Sequence, residues 1–194
     1  IGQHRWDSAT LALIAICCIL EASTPCYIAA GIALGAAAWC TPSLALLIPI
    51  TLVFTYRKGL IPFTAGVAIT AAAGAILLAA QGALLPFWDQ MQWLRANYSS
   101  VNITPYGAVN GGLANVFEGA EGIAKLVILI MLTCIELPAI LPITAAAIWG
   151  YLVLRKQQSS FLLVSMLALV ATAYPRPDVG HLAFISALPY VMTV

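Results

Sequence analysis

Three side chains that can bind or orient an anion occur close together near the end of the chain. They are Arg176, Asp178 and His181, within the stretch Tyr174-Pro-Arg-Pro-Asp-Val-Gly-His181, and an apolar segment lies on either side of that stretch. Ionisable groups beside membrane-like sequence are costly, so their presence favours a functional or pairing role. The stretch therefore predicts a site for a charged or polar ligand at a membrane surface.

Phosphate binding is the chemistry that suits these residue types. The guanidinium of Arg176 presents a fork of donors that matches phosphate oxygens. His181 is expected to open a helix, where its imidazole and the free backbone N–H groups face the same anion. Asp178 has three open roles, because it can orient His181, pair with Arg176 or contact a sugar hydroxyl. In the structural alternative, Arg176 reaches to lipid headgroups and Asp178 caps the helix.

The composition is that of a membrane protein. Hydrophobic residues make up 62% of the chain and charged residues 8%, and the mean hydropathy is +0.99. An ordinary soluble domain is about a quarter charged, so this class is excluded. The basic residues are few and dispersed, and no nucleic-acid partner is expected. Small apolar packing residues are expected at all five cysteines, Cys17, Cys18, Cys26, Cys40 and Cys134.

The elements that must position the candidate site are apolar helices. We expect an all-α, polytopic transmembrane bundle of about seven helices, some of them short or broken by proline, in a single domain over 1–194. The apolar segments are 9–22, 26–40, 42–56, 60–84, 122–154, 160–173 and 181–194. A straight crossing needs about 20 residues. Segment 122–154 is longer and contains Pro138 and Pro142, so we expect a kinked or broken helix there.

Two short basic turns set the expected orientation. Arg57-Lys58 and Arg155-Lys156 each follow an apolar segment, and the positive-inside rule places such turns in the cytoplasm. With one crossing per segment, the N-terminal residues, segment 85–121 and the Arg176–His181 turn all face the opposite, outer side. If segment 122–154 crossed twice, Arg155-Lys156 would lie outside and Arg176 inside.

Segment 85–121 is the long polar stretch of the chain and is expected to form an outer-face loop. Its first part has one apolar helical face, and its tryptophans suit the membrane interface. The loop is a source of candidate substrate contacts, namely Arg95, Asn97, Tyr98 and Tyr106. Further candidates outside the loop are Arg5, Asp7 and Glu136. The alternative for Arg5 and Asp7 is a surface ion pair. The alternative for Glu136 is a neutralised or paired structural carboxylate.

Several common site motifs do not occur in the sequence. It contains no P-loop, no glycine-rich dinucleotide fingerprint, no His-Glu-x-x-His and no recognisable Ser-His-Asp set. Neither a soluble nucleotide nor a redox cofactor is therefore expected, and no metal site is predicted from this chain. The chain begins at Ile1 and stops within an apolar run, so we expect an internal or C-terminal fragment of a longer protein.

Several short motifs also follow one another in a recognisable order. They are Arg5-Trp-Asp7, Gly31-Ile-Ala-Leu-Gly35 with Thr41-Pro42 downstream, Arg57-Lys58, Asn97-Tyr98, Pro105-Tyr106-Gly107 and Arg176-Pro-Asp178-x-x-His181. This order resembles the middle and C-terminal part of polytopic membrane glycosyltransferases of the C fold class. The group concerned is the dolichyl-phosphate-mannose and aminoarabinose transferase-like group, glycosyltransferase family 39.

The resemblance implies a mannosyltransferase-like enzyme that moves a sugar from a polyprenyl-phosphate donor to a glycan, lipid or protein acceptor. It would act at the outer face of a plasma membrane, the inner membrane in bacteria. The catalytic acid would lie upstream of Ile1, and a divalent metal, if used, would be bound mainly by residues outside this chain. Thr41 stands where the family often has Lys, so Arg176 and His181 become the candidates for holding the lipid phosphate and stabilising the leaving group.

Two other functions stay open at this point. One is a transporter or permease fragment, although transporters favour broken helices with polar groups near the midplane, and the helix centres here are Ala, Leu and Ile. The other is a non-catalytic membrane assembly subunit. The absence of a catalytic acid from this chain would also be consistent with such a subunit.

Overall fold

Helices joined by short connections make up the part of the chain that the computed structural model describes, residues 3–55, 58–108, 118–174 and 177–193. In chain order they are α1 (Gln3–Glu21), α2 (Thr24–Cys40), α3 (Leu47–Thr55), α4 (Leu60–Ala80), α5 (Leu84–Asn102), α6 (Gly122–Leu154), α7 (Ser160–Thr172), α8 (Val179–Ile185) and α9 (Ala187–Thr193), with a 3-10 helix over Pro42–Leu46 ahead of α3. These ranges contain no strand, which confirms the all-α prediction.

Polar residues between the apolar segments fix where several helices begin. Ser23 accepts a hydrogen bond from the Cys26 backbone N–H at the start of α2, and Ser159 accepts one from Phe161 at the start of α7. Asp178 caps α8 in the same way. Such caps satisfy backbone donors that have no partner inside the helix.

Small residues bring α2 and α4 into close contact. A Cβ added at Gly31 would collide with the Phe63 carbonyl, and one added at Gly66 would collide with the Ile28 carbonyl. Trp39 strengthens the pair, because its indole N–H donates to the Thr70 carbonyl at 3.1 Å. The packing of α2 against α4 therefore depends on small residues at the interface, as is common between membrane helices.

The long apolar segment 122–154 forms one continuous helix, α6, with both prolines inside it. A proline lacks the N–H that would bond four residues back, so Pro142 leaves the Pro138 carbonyl without its helical donor. At ~1.5 Å per residue the helix is roughly 50 Å long, more than one straight crossing of a ~30 Å hydrocarbon core. Its C-terminal half packs against α9, where Trp149 donates to the Met192 carbonyl at 2.6 Å.

Two regions differ in detail from the sequence expectation. The expected outer-face loop 85–121 begins as the helix α5, because Pro86 lies in the first turn, where a missing N–H costs nothing, and Phe87, Met91 and Leu94 repeat at helical spacing. The expected apolar segment 181–194 is divided at Ser186 into α8 and α9. Pro189 explains the division, because it cannot donate to the Ile185 carbonyl.

Within the described residues, α4 and α6 are the two helices that are long and apolar enough to cross a bilayer. Their apolar side chains are largely uncovered, with Ile61 at 78% exposed and Ile123 at 82%. Large uncovered apolar surfaces mark contact with a membrane or another partner. These two helices therefore suggest association with a membrane.

Candidate functional site

A cavity of about 500 Å³ forms where α1, α5, α8 and the turn after α2 come together. Its basic lining residues are Arg5, Arg95 and His181. The remaining lining residues carry hydroxyl, thiol or apolar side chains, namely Cys40, Thr41, Pro42, Ser43, Met91, Leu94, Thr172, Ala173 and Tyr174. The cavity is therefore amphipathic, with basic and hydroxyl groups beside an apolar wall.

The charges of this cavity favour an anion. Arg5, Arg95 and His181 come from three separate helices, and no carboxylate side chain is among the described lining residues. Guanidinium groups that converge on one space attract phosphate or carboxylate and can form charge-assisted hydrogen bonds with it. The cavity thus has the chemistry to bind an anionic group that carries an apolar portion.

Arg5 is held in place by an aromatic side chain of α8. Its guanidinium carbon lies 5.8 Å from the ring centroid of Phe184, a distance at which a cation is attracted to the ring face. The neighbouring Trp6 meets the same ring edge-on, with the centroids 4.9 Å apart. The first turns of α1 are therefore packed on α8, close to His181.

A hydroxyl pair joins α1 to the turn after α2. Ser8, which is 2% exposed, lies with its Oγ 2.9 Å from the Thr41 Oγ1 and donates to the Arg5 carbonyl at 3.0 Å. A second cavity of about 40 Å³ is lined by Ser8, Thr41, Ser43 and His181 among others, and it shares several lining residues with the larger one. This smaller space is large enough for a water molecule.

Asp178 fulfils two of its predicted roles at once. Its carboxylate is buried, with the residue 2% exposed, and Oδ1 accepts the His181 backbone N–H at 2.9 Å. The same oxygen lies 2.8 Å from His181 Nδ1. Asp178 is therefore both the helix cap of the structural alternative and the group that orients His181. A carboxylate on Nδ1 leaves Nε2 as the ring nitrogen for a ligand.

Some residues on which the site and topology predictions depend lie outside the described part of the chain. Arg176, the arginine of the predicted phosphate site, is one of them, and Arg57 of the first basic turn is another. Tyr98 falls on α5, but its side chain is outside the described residues. The predicted contact between Arg176 and a phosphate therefore stays a prediction.

The structure separates the three candidates from segment 85–121 whose side chains it describes. Arg95 lines the cavity, whereas Asn97 and Tyr106 are not among its lining residues. The Asn97 side-chain amide donates to the Trp93 carbonyl of its own helix at 2.9 Å. The Tyr106 hydroxyl donates to the Ala139 carbonyl of α6 at 2.8 Å. Partial burial raises the pKa of Tyr106 above its ordinary value, so the hydroxyl stays protonated as a donor.

Asp7 and Glu136 also lie away from the cavity lining. Asp7 is exposed on α1. Glu136 is half-buried on α6, and its Oε2 would lie 3.7 Å from a Cβ added at Gly107. Of the three further candidates, the structure thus brings Arg5 alone into contact with the cavity.

Sequence reasoning missed the hydroxyl groups of the cavity and the backbone contact of Gly107. Thr41 and Ser43 flank Pro42 in a short polar break between two apolar segments. This break could have indicated that their hydroxyl groups belong to a site. Thr172 and Tyr174 precede the charged turn directly. In the described ranges, no group of three or more His, Cys, Asp or Glu side chains is placed to hold a metal ion.

Comparison with known proteins found no matching family model, no matching curated protein and no matching solved structure. The lining of the cavity has the chemistry for an anion near Arg5, Arg95 and His181 and for an apolar portion near Met91 and Leu94.

Proposed function

We propose that this chain is part of a polytopic membrane glycosyltransferase that moves a sugar from a polyprenyl-phosphate donor to a glycan, lipid or protein acceptor. One observation carries the proposal. A single cavity gathers Arg5, Arg95 and His181 around an apolar wall. A lipid-linked sugar phosphate has the complementary parts, an anion between a polar sugar and an apolar chain.

The size and charge of the cavity suit such a donor. Ligand cavities usually measure about 300–1,000 Å³, and this one measures about 500 Å³. That volume fits the sugar, the phosphate and the first part of a prenyl chain better than a whole polyprenyl lipid. The remaining chain would lie in the bilayer, beside the uncovered apolar surfaces of α4 and α6.

The three basic groups have a direct role in the proposed reaction. Transfer breaks the bond between the sugar anomeric carbon and a phosphate oxygen, while a bond forms from the acceptor oxygen to the same carbon. Negative charge then builds on the departing lipid phosphate, and fixed positive groups stabilise it. Arg5 and Arg95 supply that positive charge, His181 places a ring nitrogen beside it, and Arg176 is a further candidate. The acceptor proton goes to a general base, for which the cavity lining offers no carboxylate among the described residues.

The proposed topology has seven crossings, with Arg57-Lys58 and Arg155-Lys156 in the cytoplasm and the cavity at the outer face of the plasma or bacterial inner membrane. Support comes from the shared cavity, because the topology places Arg5, Arg95 and His181 on one face and all three line one space. The short helices α2, α3 and α7 would cross as members of the bundle, with neighbours covering their ends.

Binding of a polyprenyl phosphate tests the proposal most directly. The full-length protein in lipid nanodiscs is titrated with a short-chain polyprenyl phosphate and, separately, with the uncharged polyprenol. Arg5→Gln and Arg95→Gln are each expected to weaken phosphate binding about tenfold or more, because a charge-assisted hydrogen bond contributes about 1.5–3 kcal/mol. Polyprenol binding should change little.

Arg155→Gln is the matched control, because Arg155 lies in a basic turn and packs on Tyr151, 5.3 Å from the ring centroid, away from the cavity. It should leave both affinities unchanged. Equal loss of phosphate and polyprenol binding in the Arg5 and Arg95 variants would overturn the anion role. Unaltered phosphate binding in both would overturn it as well.

A further inference from the structure

We propose that Tyr106 and Gly107 are positioning residues for His181, and that they act through Pro177 and Asp178. Together, the four residues form a hydrogen-bonded link from α6 to the imidazole that faces the cavity. The positioning itself follows from the geometry of the described residues. Its importance for sugar transfer rests on the proposed function.

The first part of the link attaches Tyr106 to α6. Its hydroxyl donates to the Ala139 carbonyl at 2.8 Å, one residue after Pro138 and three before Pro142. A carbonyl oxygen has two lone pairs, so the Ala139 carbonyl can accept this bond in addition to one from its own helix. The position of Tyr106 is therefore set by a proline-containing part of the longest helix.

The second part attaches Gly107 to the turn ahead of α8. The Gly107 backbone N–H donates to the Pro177 carbonyl at 2.8 Å, in a segment 70 positions further along the chain. Gly107 has φ +72°, a conformation that side-chain-bearing residues rarely adopt. A Cβ there would also lie 3.2 Å from the Ala139 Cβ. The positive φ and the short distance to Ala139 both require glycine at position 107 if the turn is to contact α6 and Pro177 at the same time.

The third part runs from Pro177 to the cavity. Asp178 follows directly, is buried, and holds both the backbone N–H and Nδ1 of His181 through one oxygen. A shift of the Pro177 carbonyl would move the adjacent Asp178 and with it the ring that Asp178 orients. Since α8 is only 7 residues long, its own backbone hydrogen bonds resist such a shift weakly.

The orientation of the His181 ring is observable by NMR, because the chain contains two histidines, His4 and His181. The full-length protein is labelled with ¹⁵N-histidine in nanodiscs, and the His181 ring signals are assigned by their loss in His181→Gln. Asp178→Asn defines the spectrum of a ring without its carboxylate. Tyr106→Phe and Gly107→Ala are expected to move the His181 ring nitrogens toward that spectrum. Polyprenyl-phosphate binding should weaken about three- to tenfold, the loss that one hydrogen bond brings.

Tyr190→Phe is the matched control, because Tyr190 is a 56% exposed tyrosine of α9 outside the cavity lining. It should leave the His181 signals unchanged. Wild-type His181 signals in folded Tyr106→Phe and Gly107→Ala would overturn the proposal. If Tyr106→Phe does not fold, the link contributes to stability alone, and the proposal is overturned in that case as well. If polyprenyl phosphate leaves the wild-type His181 signals unmoved, the proposed function fails, while the positioning is judged by the variants alone.

Discussion

One oxygen of Asp178 lies 2.8 Å from the His181 ring Nδ1 and 2.9 Å from the His181 backbone nitrogen. The carboxylate thus caps the start of α8 and orients the imidazole of His181, the third residue of that helix. Because both contacts use the same atom, helix capping and ring orientation are coupled in this turn. The two contacts can be separated experimentally, since asparagine caps helices about as well as aspartate but carries no charge.

We therefore expect Asp178→Asn and Asp178→Ala to differ in stability but to have similarly weakened affinities for polyprenyl phosphate. Loss of the cap in the alanine variant should cost about 0.5–2 kcal/mol, whereas the asparagine variant should stay close to wild type. Both should weaken polyprenyl-phosphate binding, because neither holds the Nδ1 proton with a charged group. Thermal unfolding in nanodiscs and a phosphate titration measure the two effects. Wild-type binding by Asp178→Asn would show that the negative charge of Asp178 beside Nδ1 does not matter for binding.

Much of the helical architecture follows from the sequence pattern. The bounds of α2, α4 and α6 lie within a few residues of the apolar segments, because those segments end at serine, glycine or basic turns. The division between α8 and α9 was harder to foresee, since Pro189 is an isolated proline in an apolar run. The helical face at the start of segment 85–121 could be read from the spacing of its apolar residues, but the full extent of α5, Leu84–Asn102, could not.

The candidate site was predictable only in part. Arg5, Arg95 and His181 were recognised as charged groups expected on one face, but their meeting in one cavity depends on the packing of three helices. The link from Tyr106 to the Ala139 carbonyl and from Gly107 to the Pro177 carbonyl uses backbone atoms at long sequence separation. Backbone partners leave no residue-type signature, so one sequence does not reveal them.

The glycine contact between α2 and α4 predicts an unusual response to a small substitution. Gly31→Ala should destabilise the protein by about 1–3 kcal/mol, because the new methyl group would meet the Phe63 carbonyl and force the helices apart. Gly150→Ala is the matched control, since a Cβ there meets nothing within 4 Å. That variant should be neutral or stabilised by up to about 1 kcal/mol through helix propensity. Thermal unfolding in nanodiscs compares the two, and equal stabilities would contradict the close packing.

The proposed topology places α5 and the α6–α7 turn on opposite sides of the membrane. Single cysteines at Gln92 and Gln157, both exposed, are introduced into a variant whose five native cysteines are replaced by alanine. A membrane-impermeant maleimide added to intact cells should label position 92 and should reach position 157 only after permeabilisation. Labelling of both positions from the same side would rule out the orientation derived from the basic turns.

Phe184 links the position of Arg5 to that of His181, and this link predicts a binding defect with little loss of stability. Phe184→Leu keeps an apolar side chain but removes the ring face that lies 5.8 Å from the Arg5 guanidinium carbon. A partly exposed cation–π contact contributes about 0.5–1 kcal/mol, so polyprenyl-phosphate affinity should fall about two- to fivefold. Phe54→Leu serves as control, because Phe54 is also half of an aromatic pair, with Phe161 at 5.2 Å, on helices α3 and α7 away from the cavity lining. Equal affinities in the two variants would mean that Phe184 does not position Arg5 for the anion.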